Sequence, residues 1–521
     1  MRASSKLSSI SCALPTVCAA FTVAFSFSVC SPLGNLPYRL VSRYCVARKT
    51  LSSHMEPILS SPTTQDLPTF LKKGRAALLL CNEKKARVKV VLGNEAADAD
   101  SIVSSICLAQ FLQMTRSSNE KLGSVHYVPI LPLRRTELKL RPETLLLFRL
   151  AGISEALRDT VCIDEVDLLG AHAKDALTGL VLVDHNKLTA SLQNLGPAVE
   201  RIVDHHEDQG LYEKVTGGNR DIAFAADAEG FDALYSSAQQ SQSDISRVPS
   251  LSSNSSTAGG RALVASTCTL VAERYLSNPG LLCPAVAMLL LGVVLLDSVC
   301  LDASAGKVTS RDEAVAKALA AGLAGRSDRE WKSEQALYRN LSGAKFDQGW
   351  WQSLEVNEAL GLDYKSFAAS LQTRQALWFG MSSILVALND LLCKVSGVES
   401  VLERFASSRG VELLVLMSLV MPAGGAKDGG IQRTLAVYAS CPVLGRTLAT
   451  VLLTPETEAG DLQLELWPRP EWWDRERCNE GGDREQRLWC FKQGNVQASR
   501  KQVEPILRRL LEENEGILFP K

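Results

Sequence analysis

Asp204-His205-His206 follows the apolar pair Ile202-Val203, which places one carboxylate and two of the chain's six imidazoles at the end of a strand. Imidazole nitrogen and carboxylate oxygen together bind divalent cations, and a second imidazole beside them can move a proton or hold a phosphate. Taken alone, the tripeptide also fits a surface turn or a helix cap. Other acids stand in comparable places. The run Gly93-Asn94-Glu95-Ala96-Ala97-Asp98-Ala99-Asp100-Ser101 follows Val88–Leu92, Asp184 follows Leu180–Val183, and Asp297 ends an apolar stretch that begins at Pro284. Asp98 and Ser101 also fit helix N-caps. Unpaired carboxylates gathered at four such ends would repel one another and lose hydration, a cost that divalent cations remove. Two cations about 3.5–4 Å apart activate water and hold phosphoryl oxygens during in-line displacement. Oxygen-rich donors with one or two imidazoles suit Mn²⁺, Mg²⁺ or Co²⁺ better than a thiolate zinc site does.

The elements that must hold these residues are legible as patterns. Val88–Leu92 is a β-branched strand ending at Gly93, and a helix is expected from Ser101 to Met114. Leu180–Val183 and Val199–Val203 repeat the apolar strand pattern, which favours a parallel sheet covered by helices on both faces. In such sheets ligands bind outside the carboxyl ends of the strands. Arg261–Leu276 reads as a helix. Pro284–Leu296 is too short for a bilayer and reads as a buried helix carrying Asp297. Beyond Gly306 a second pattern mixes helix and strand character, with apolar runs at Ile384–Leu392, Val411–Val420 and Thr434–Val443. The glycine-rich segment 424–430 reads as a turn between strands, and Ser499–Glu513 as a helix. The expected organisation is a leader over 1–55, an α/β catalytic domain over 70–305 with a Ser/Gln-rich insertion at 236–260, a linker over 306–330, and a smaller α+β domain over 331–518 with the site in the cleft between the two domains.

Composition narrows the function classes. With 46% hydrophobic and 22% charged residues and a net charge of -1 over 521 residues, the chain is ordinary globular protein and not a general nucleic-acid or membrane-surface binder. Its 14 cysteines contain no CxxC pair, which points away from a zinc ribbon or a disulfide framework. Residues 1–55 contain no Asp or Glu and several Arg and Ser, a composition that resembles a signal sequence or a transit peptide to a mitochondrion or plastid.

Gly-Asn-Glu-x-x-Asp-x-Asp-Ser at 93–101, Val-Asp-His-Asn at 183–186, Asp-His-His at 204–206 and Leu-Leu-Asp-Ser at 295–298 resemble, in order and spacing, motifs I to IV of the DHH phosphoesterase superfamily. Asn94, where family II inorganic pyrophosphatases have histidine, resembles the exopolyphosphatase and prune branch, as does Ser266–Val271. Leu337-Tyr338 through Asp347, Asp363-Tyr364-Lys365-Ser366-Phe367 and Ala498–Pro505 resemble the DHHA2 domain. The resemblance implies two divalent ions, Mn²⁺ or Mg²⁺ with Co²⁺ as an option, held by Asp98, Asp100, Asp184, His205 and Asp297, with Asp184 bridging. It implies that Asp204 orients a neighbouring histidine, that His206 meets phosphate or moves a proton, and that Asn94, Lys365, Arg500 and Lys501 bind substrate. An Arg-Lys pair at a helix start suits phosphate by fork geometry, point charge and helix dipole. The implied activity is hydrolysis of inorganic polyphosphate, short oligophosphates or pyrophosphate in the cytoplasm, without nucleic acid or a membrane span. Two alternatives stand beside it. One is a prune-like regulatory protein with protein partners. The other is a DHH-type oligonucleotide or cyclic-nucleotide phosphodiesterase, against which stands the lack of a Gly-Gly-Gly-His element.

Overall fold

The computed structural model describes residues 66–81, 86–116, 125–225, 260–324, 332–372, 376–420, 430–467 and 485–518. The expected leader, the insertion up to 259 and the glycine turn up to 429 lie outside the described residues.

Six strands, β1 (Arg87–Leu92), β2 (Val125–Leu131), β3 (Val161–Cys162), β4 (Leu177–Val183), β5 (Val199–Asp204) and β6 (Arg220–Ile222), form a sheet in the order β3-β2-β1-β4-β5-β6. Every pairing is parallel. The side chains alternate as a pleated strand requires, Val181, Val183 and Val203 to one face and Leu180, Leu182 and Ile202 to the other. Both faces are buried, which is why the strands read as continuous apolar runs instead of alternating with polar residues. The chain winds outward from β1 to β3, then outward the other way from β4 to β6. The order therefore reverses between β1 and β4, and a crevice opens at their carboxyl ends.

One face packs against α2 (Ala99–Thr115), α3 (Pro142–Leu150), α4 (Thr267–Leu276) and α5 (Pro284–Asp297), with α1 (Leu67–Cys81) contributing to both faces. Helix α5 is apolar all round because it is surrounded, and Val286–Leu296 are buried without exception. Its Gly292 is a point of close approach, where a Cβ would stand 2.5 Å from Leu147 and 3.1 Å from Leu341.

Three expectations are corrected here. Segment 306–330 does not link domains: it contains α6 (Ser310–Leu323), whose stripe Val315, Ala316, Leu319 and Leu323 lies in the first core. Helix α7 (Glu334–Lys345) joins the same core through Leu337 and Leu341, so the physical boundary falls after Lys345. Residues 261–262 are not helical. They form β8 (Arg261–Ala262), paired with β7 (Phe224–Ala225), and the helix starts only at Thr267 because Ser266 accepts from the Cys268 N–H at 3.1 Å.

The second sheet has the order β13-β14-β12-β11-β10-β9, formed by β9 (Tyr364–Ala369), β10 (Leu377–Ile384), β11 (Leu413–Val420), β12 (Gln432–Ala439), β13 (Leu464–Leu466) and β14 (Leu488–Gln493). Only β10 and β11 run parallel, and β9 is an edge. Helix α8 (Val398–Arg409) covers one face, and α9 (Pro442–Leu452) with α10 (Arg500–Glu513) covers the other. Leu140, from the first half of the chain, is buried within this second core. Among the described residues no helix is long and apolar enough to cross a membrane.

Asp312 of α6 fixes the segment leading into α4. Fully buried, it accepts from the Ala265 N–H (3.0 Å), the Thr269 hydroxyl (2.6 Å) and both the N–H and hydroxyl of Thr309 (2.9 Å each). Asp312→Ala strands these donors and is expected to cost about 3 kcal/mol or more in urea unfolding, with Asp312→Asn losing less because one acceptor oxygen remains.

Candidate metal and phosphate site

The loop after β1 is held from three sides. Asn94 donates its N–H to Ser101 Oγ (2.6 Å), accepts from the Ala96 N–H (2.8 Å), and donates its side-chain amide to the Asp184 carboxylate. Gly93 is required beside it, since a Cβ there would lie 2.2 Å from Ser101 Oγ. Buried Arg141 donates Nε to the Ala97 carbonyl (2.7 Å) and Nη2 to that of Ala96 (2.6 Å). Asp98 caps α2 by accepting from the Ser101 N–H at 3.0 Å, so the capping role the sequence left open is filled, by one oxygen of a carboxylate that has two. Asp100, in the first turn, caps a different helix. It accepts from Ser266 Oγ (2.8 Å), the Thr267 N–H (2.8 Å) and the Cys268 N–H (2.9 Å) at the start of α4. Burial, together with Asp98, still pushes its pKa up to about 6.

Asp184 ends β4 in the left-handed region, φ 61°. It is buried, and besides Asn94 its oxygens face Thr267 Oγ1 (3.3 Å), His205 Nε2 (3.6 Å) and His206 Nδ1 (3.7 Å). Burial and the neighbouring Asp100 and Asp98 hold its carboxyl far above the usual range. Ala97 is also left-handed (φ 48°), and so is the run Val299-Leu301 just after Asp297, whose β-branched Val299 has φ 54°. Such conformations cost about 1–3 kcal/mol each and gather where a site needs loops in exact places. Asp297 itself ends α5, and burial plus Asp100 raises its carboxyl to about 7 against the pull of Lys345 and Lys307.

Asp204 is completely buried. One oxygen accepts from the N–H groups of His205 (2.7 Å) and His206 (3.1 Å) and pairs with His206 Nδ1 (2.8 Å), while the other accepts from Asn186 Nδ2 (2.6 Å). Burial would raise its pKa, but His206, His205 and Asn186 outweigh it, and the carboxyl stays below its ordinary range. His205 Nδ1 lies 3.1 Å from the Val264 carbonyl, which can only accept. Nδ1 therefore carries the proton, and Nε2 turns its lone pair toward Asp184. His206 is kept neutral by burial, which outweighs Asp204 and lowers its pKa to about 4. Asp184, His205 and His206 offer atoms within 4.8 Å of one another.

The donor set fits divalent cations. The imidazole lone pair of His205 faces the Asp184 carboxyl, and Asp184, Asp100 and Asp297 are all pushed toward neutrality by burial and neighbouring acids, protons that a bound cation would displace. Asp98, Asp100, Asp184, His205 and Asp297 are the residues that would hold the ions. Asn94 differs from expectation. It is buried with both ends of its amide in use on Asp184 and Ala96, so it positions the proposed bridging carboxylate and does not face the cleft.

Across the cleft, Arg500 at the start of α10 donates to the Asp363 carbonyl (2.7 Å) and carboxylate (2.6 Å), which fixes its guanidinium. Lys501 is exposed over much of its side chain, but its ammonium stands among neighbouring groups that take hydration from it and, with Lys365 and Lys307, lower its pKa against Asp184 and Asp297. Lys365, on β9, acts electrostatically on Asp184 and His206. Sequence reasoning missed Lys345, at the end of α7, whose ammonium loses hydration but is held charged by Asp297, Glu143 and Asp98. It also missed Lys307, Asn186, Arg141 and the Ser266–Cys268 donors. His185 turns Nδ1 to the Val183 carbonyl (3.0 Å) of its own strand.

Asp100 and Asp297 have folded pKa values near 6 and 7, raised from about 3.9 in an unfolded chain. The stability they contribute without metal is present below about pH 4 and is lost as pH rises through those values. His206, with its folded pKa near 4, acts in the opposite direction over part of this range, so the two carboxyls are isolated by the melting-temperature difference between metal-free parent and Asp297→Asn, which should change steadily from about pH 4 to 7 and be removed by Mn²⁺ in the parent. Calorimetry in buffers of different ionisation heat near pH 6.5 should record protons released on Mn²⁺ binding. A parent-to-variant difference that does not change with pH, together with no proton release, would contradict the arrangement described.

Residues 89–223 match the DHH family, N-terminal domain, and residues 340–510 match the DHHA2 domain. The chain is 28% identical to the exopolyphosphatase PRUNE1 of Rattus norvegicus over 446 residues, covering 85% of this chain and 78% of that one. It is 27% identical over 446 residues to the Homo sapiens exopolyphosphatase PRUNE1, with 85% and 79% covered. A Methanococcus jannaschii structure described as a family II inorganic pyrophosphatase aligns over 81% of this chain and 98% of its own at 19% identity and a TM-score of 0.43, and the assignment does not rest on it. With both domains present in this order and relatives matching across them, the chain is a two-domain DHH–DHHA2 protein, similar along most of its length to the mammalian exopolyphosphatase PRUNE1 proteins.

Proposed function

We propose that this protein is a divalent-metal-dependent phosphoanhydride hydrolase that releases phosphate from inorganic polyphosphate, short oligophosphates or pyrophosphate. The observation that carries the reading is the His205 Nε2 lone pair facing Asp184 at 3.6 Å, on the side of the crevice where Lys365 and Lys501 act on the same carboxylate. The exopolyphosphatase names of the mammalian relatives support the same substrate class.

Divalent ions held by the five ligands would supply the positive charge that lowers the pKa of water and draws electrons from the phosphoryl group. The rest falls to the chain. Lys365 and Lys501 neutralise phosphate oxygens, and Arg500, fixed by Asp363, presents its remaining N–H groups to the departing end of the substrate. As water attacks a terminal phosphorus, the new P–O bond forms while the bridging P–O bond breaks, and the leaving oxyanion faces these cations. His206 donates Nδ1–H to Asp204 and so offers Nε2 as the proton acceptor, a role suited to an imidazole that stays neutral.

Phosphate release from pyrophosphate, tripolyphosphate and long-chain polyphosphate, each with Mg²⁺, Mn²⁺ and Co²⁺, tests this. Asp204→Ala and Arg500→Ala should each lower kcat/KM about 100-fold or more, the first by freeing the His206 tautomer and the second by removing a charged fork. Retained activity in both variants, or equal hydrolysis of a dinucleotide and tripolyphosphate, would overturn the assignment.

A further inference from the structure

Glu95 stands in the loop that carries Asp98, yet it points away from the carboxylate cluster. It crosses to the second sheet, where one carboxylate oxygen accepts both the backbone N–H and the hydroxyl of Ser366, each at 2.8 Å. Ser366 lies on β9, which pairs on one side only, with β10, so this N–H belongs to the open edge of the sheet. A carboxylate from the other half of the protein fills the place a neighbouring strand would take. The geometry at both ends of this contact is tight. On the near side the loop is fixed by Asn94 on Asp184, by Arg141 on the Ala96 and Ala97 carbonyls, and by Asp98 capping α2. On the far side, Ser366 is next to Lys365 and three residues from Asp363, the residue that holds Arg500.

We propose that Glu95 is a positioning residue. Through β9 it sets Lys365, and through Asp363 sets Arg500, in register with the metal-holding loop before substrate arrives. This rests on the phosphohydrolase reading above and adds a residue that touches neither metal nor phosphate. Once a polyphosphate chain spans the two halves it holds β9 in place itself. The contribution of Glu95 is therefore made mainly in the free enzyme, and losing it acts on KM and leaves kcat nearly unchanged.

Glu95→Ala should raise KM for tripolyphosphate about 10-fold with kcat within about 2-fold. Glu95→Gln, whose amide oxygen can accept both donors, should return KM to within about 3-fold of the parent, and Ser366→Ala, which keeps the N–H, should fall between. Hydrogen exchange gives a readout independent of turnover. The Ser366 amide should exchange about 10-fold faster in Glu95→Ala and near the parent rate in Glu95→Gln, with Mn²⁺ affinity unchanged. Unchanged KM and unchanged exchange, a fall in kcat alone, or equal loss of Mn²⁺ affinity in both Glu95 variants would overturn the proposal. If Glu95→Ala does not fold, Ser366→Ala and Glu95→Gln carry the same comparison. A parent protein that hydrolyses no oligophosphate refutes the phosphohydrolase reading, while amide exchange still decides whether Glu95 holds β9.

Discussion

Burying several carboxyl groups within reach of one another is the constraint on which the rest of this structure turns. Burial raises the pKa of Asp100, Asp184 and Asp297, Asp98 adds to all three and Asp100 to the other two, and only partners can hold such a group together. The fold provides some of them itself. The start of α4 donates a hydroxyl and two N–H groups to Asp100, Asn94 donates to Asp184, and Lys345 is drawn in beside Asp297. These donors leave the charge incompletely compensated, and a divalent cation bound there would supply what is missing.

The supporting shell is as ordered as the ligands. Val264, whose carbonyl fixes the His205 tautomer, and Ser266, which meets Asp100, belong to one short segment, and Asp312 anchors that segment from α6. Left-handed backbone at Ala97, Asp184 and Val299-Leu301 recurs beside the acidic groups. The surrounding packing holds these strained turns, and a cation bound among them would share that task.

The strands of the first sheet were legible because both faces are buried: Val88–Leu92, Leu180–Val183 and Val199–Val203 read as apolar runs and end at the acids that matter. Strand β2 was not singled out, since Val125–Leu131 contains a histidine and a proline. The linker reading failed at α6 because its exposed Glu313 and Lys317 and its many alanines dilute a stripe of five buried apolar residues, and sequence alone does not say which helix face is covered. Asp100 was legible as an acid near a helix start, but that it caps α4, over 160 residues later, depends on tertiary contact. Arg141 and Lys345 were missed for the same reason. Each makes its contacts with residues distant in sequence, and neither carries a local pattern that distinguishes it from a surface cation.

Leu140 ties the two halves of the protein together. It is buried in the core of the second sheet, while its neighbour Arg141 grips the loop before α2 in the first. Any separation that pulled Leu140 out would set a leucine in water at a cost of about 2 kcal/mol. Because Leu140 is one peptide from Arg141, the packing of the second core and the placement of the loop that carries Asp98 are tied to the same short stretch of backbone.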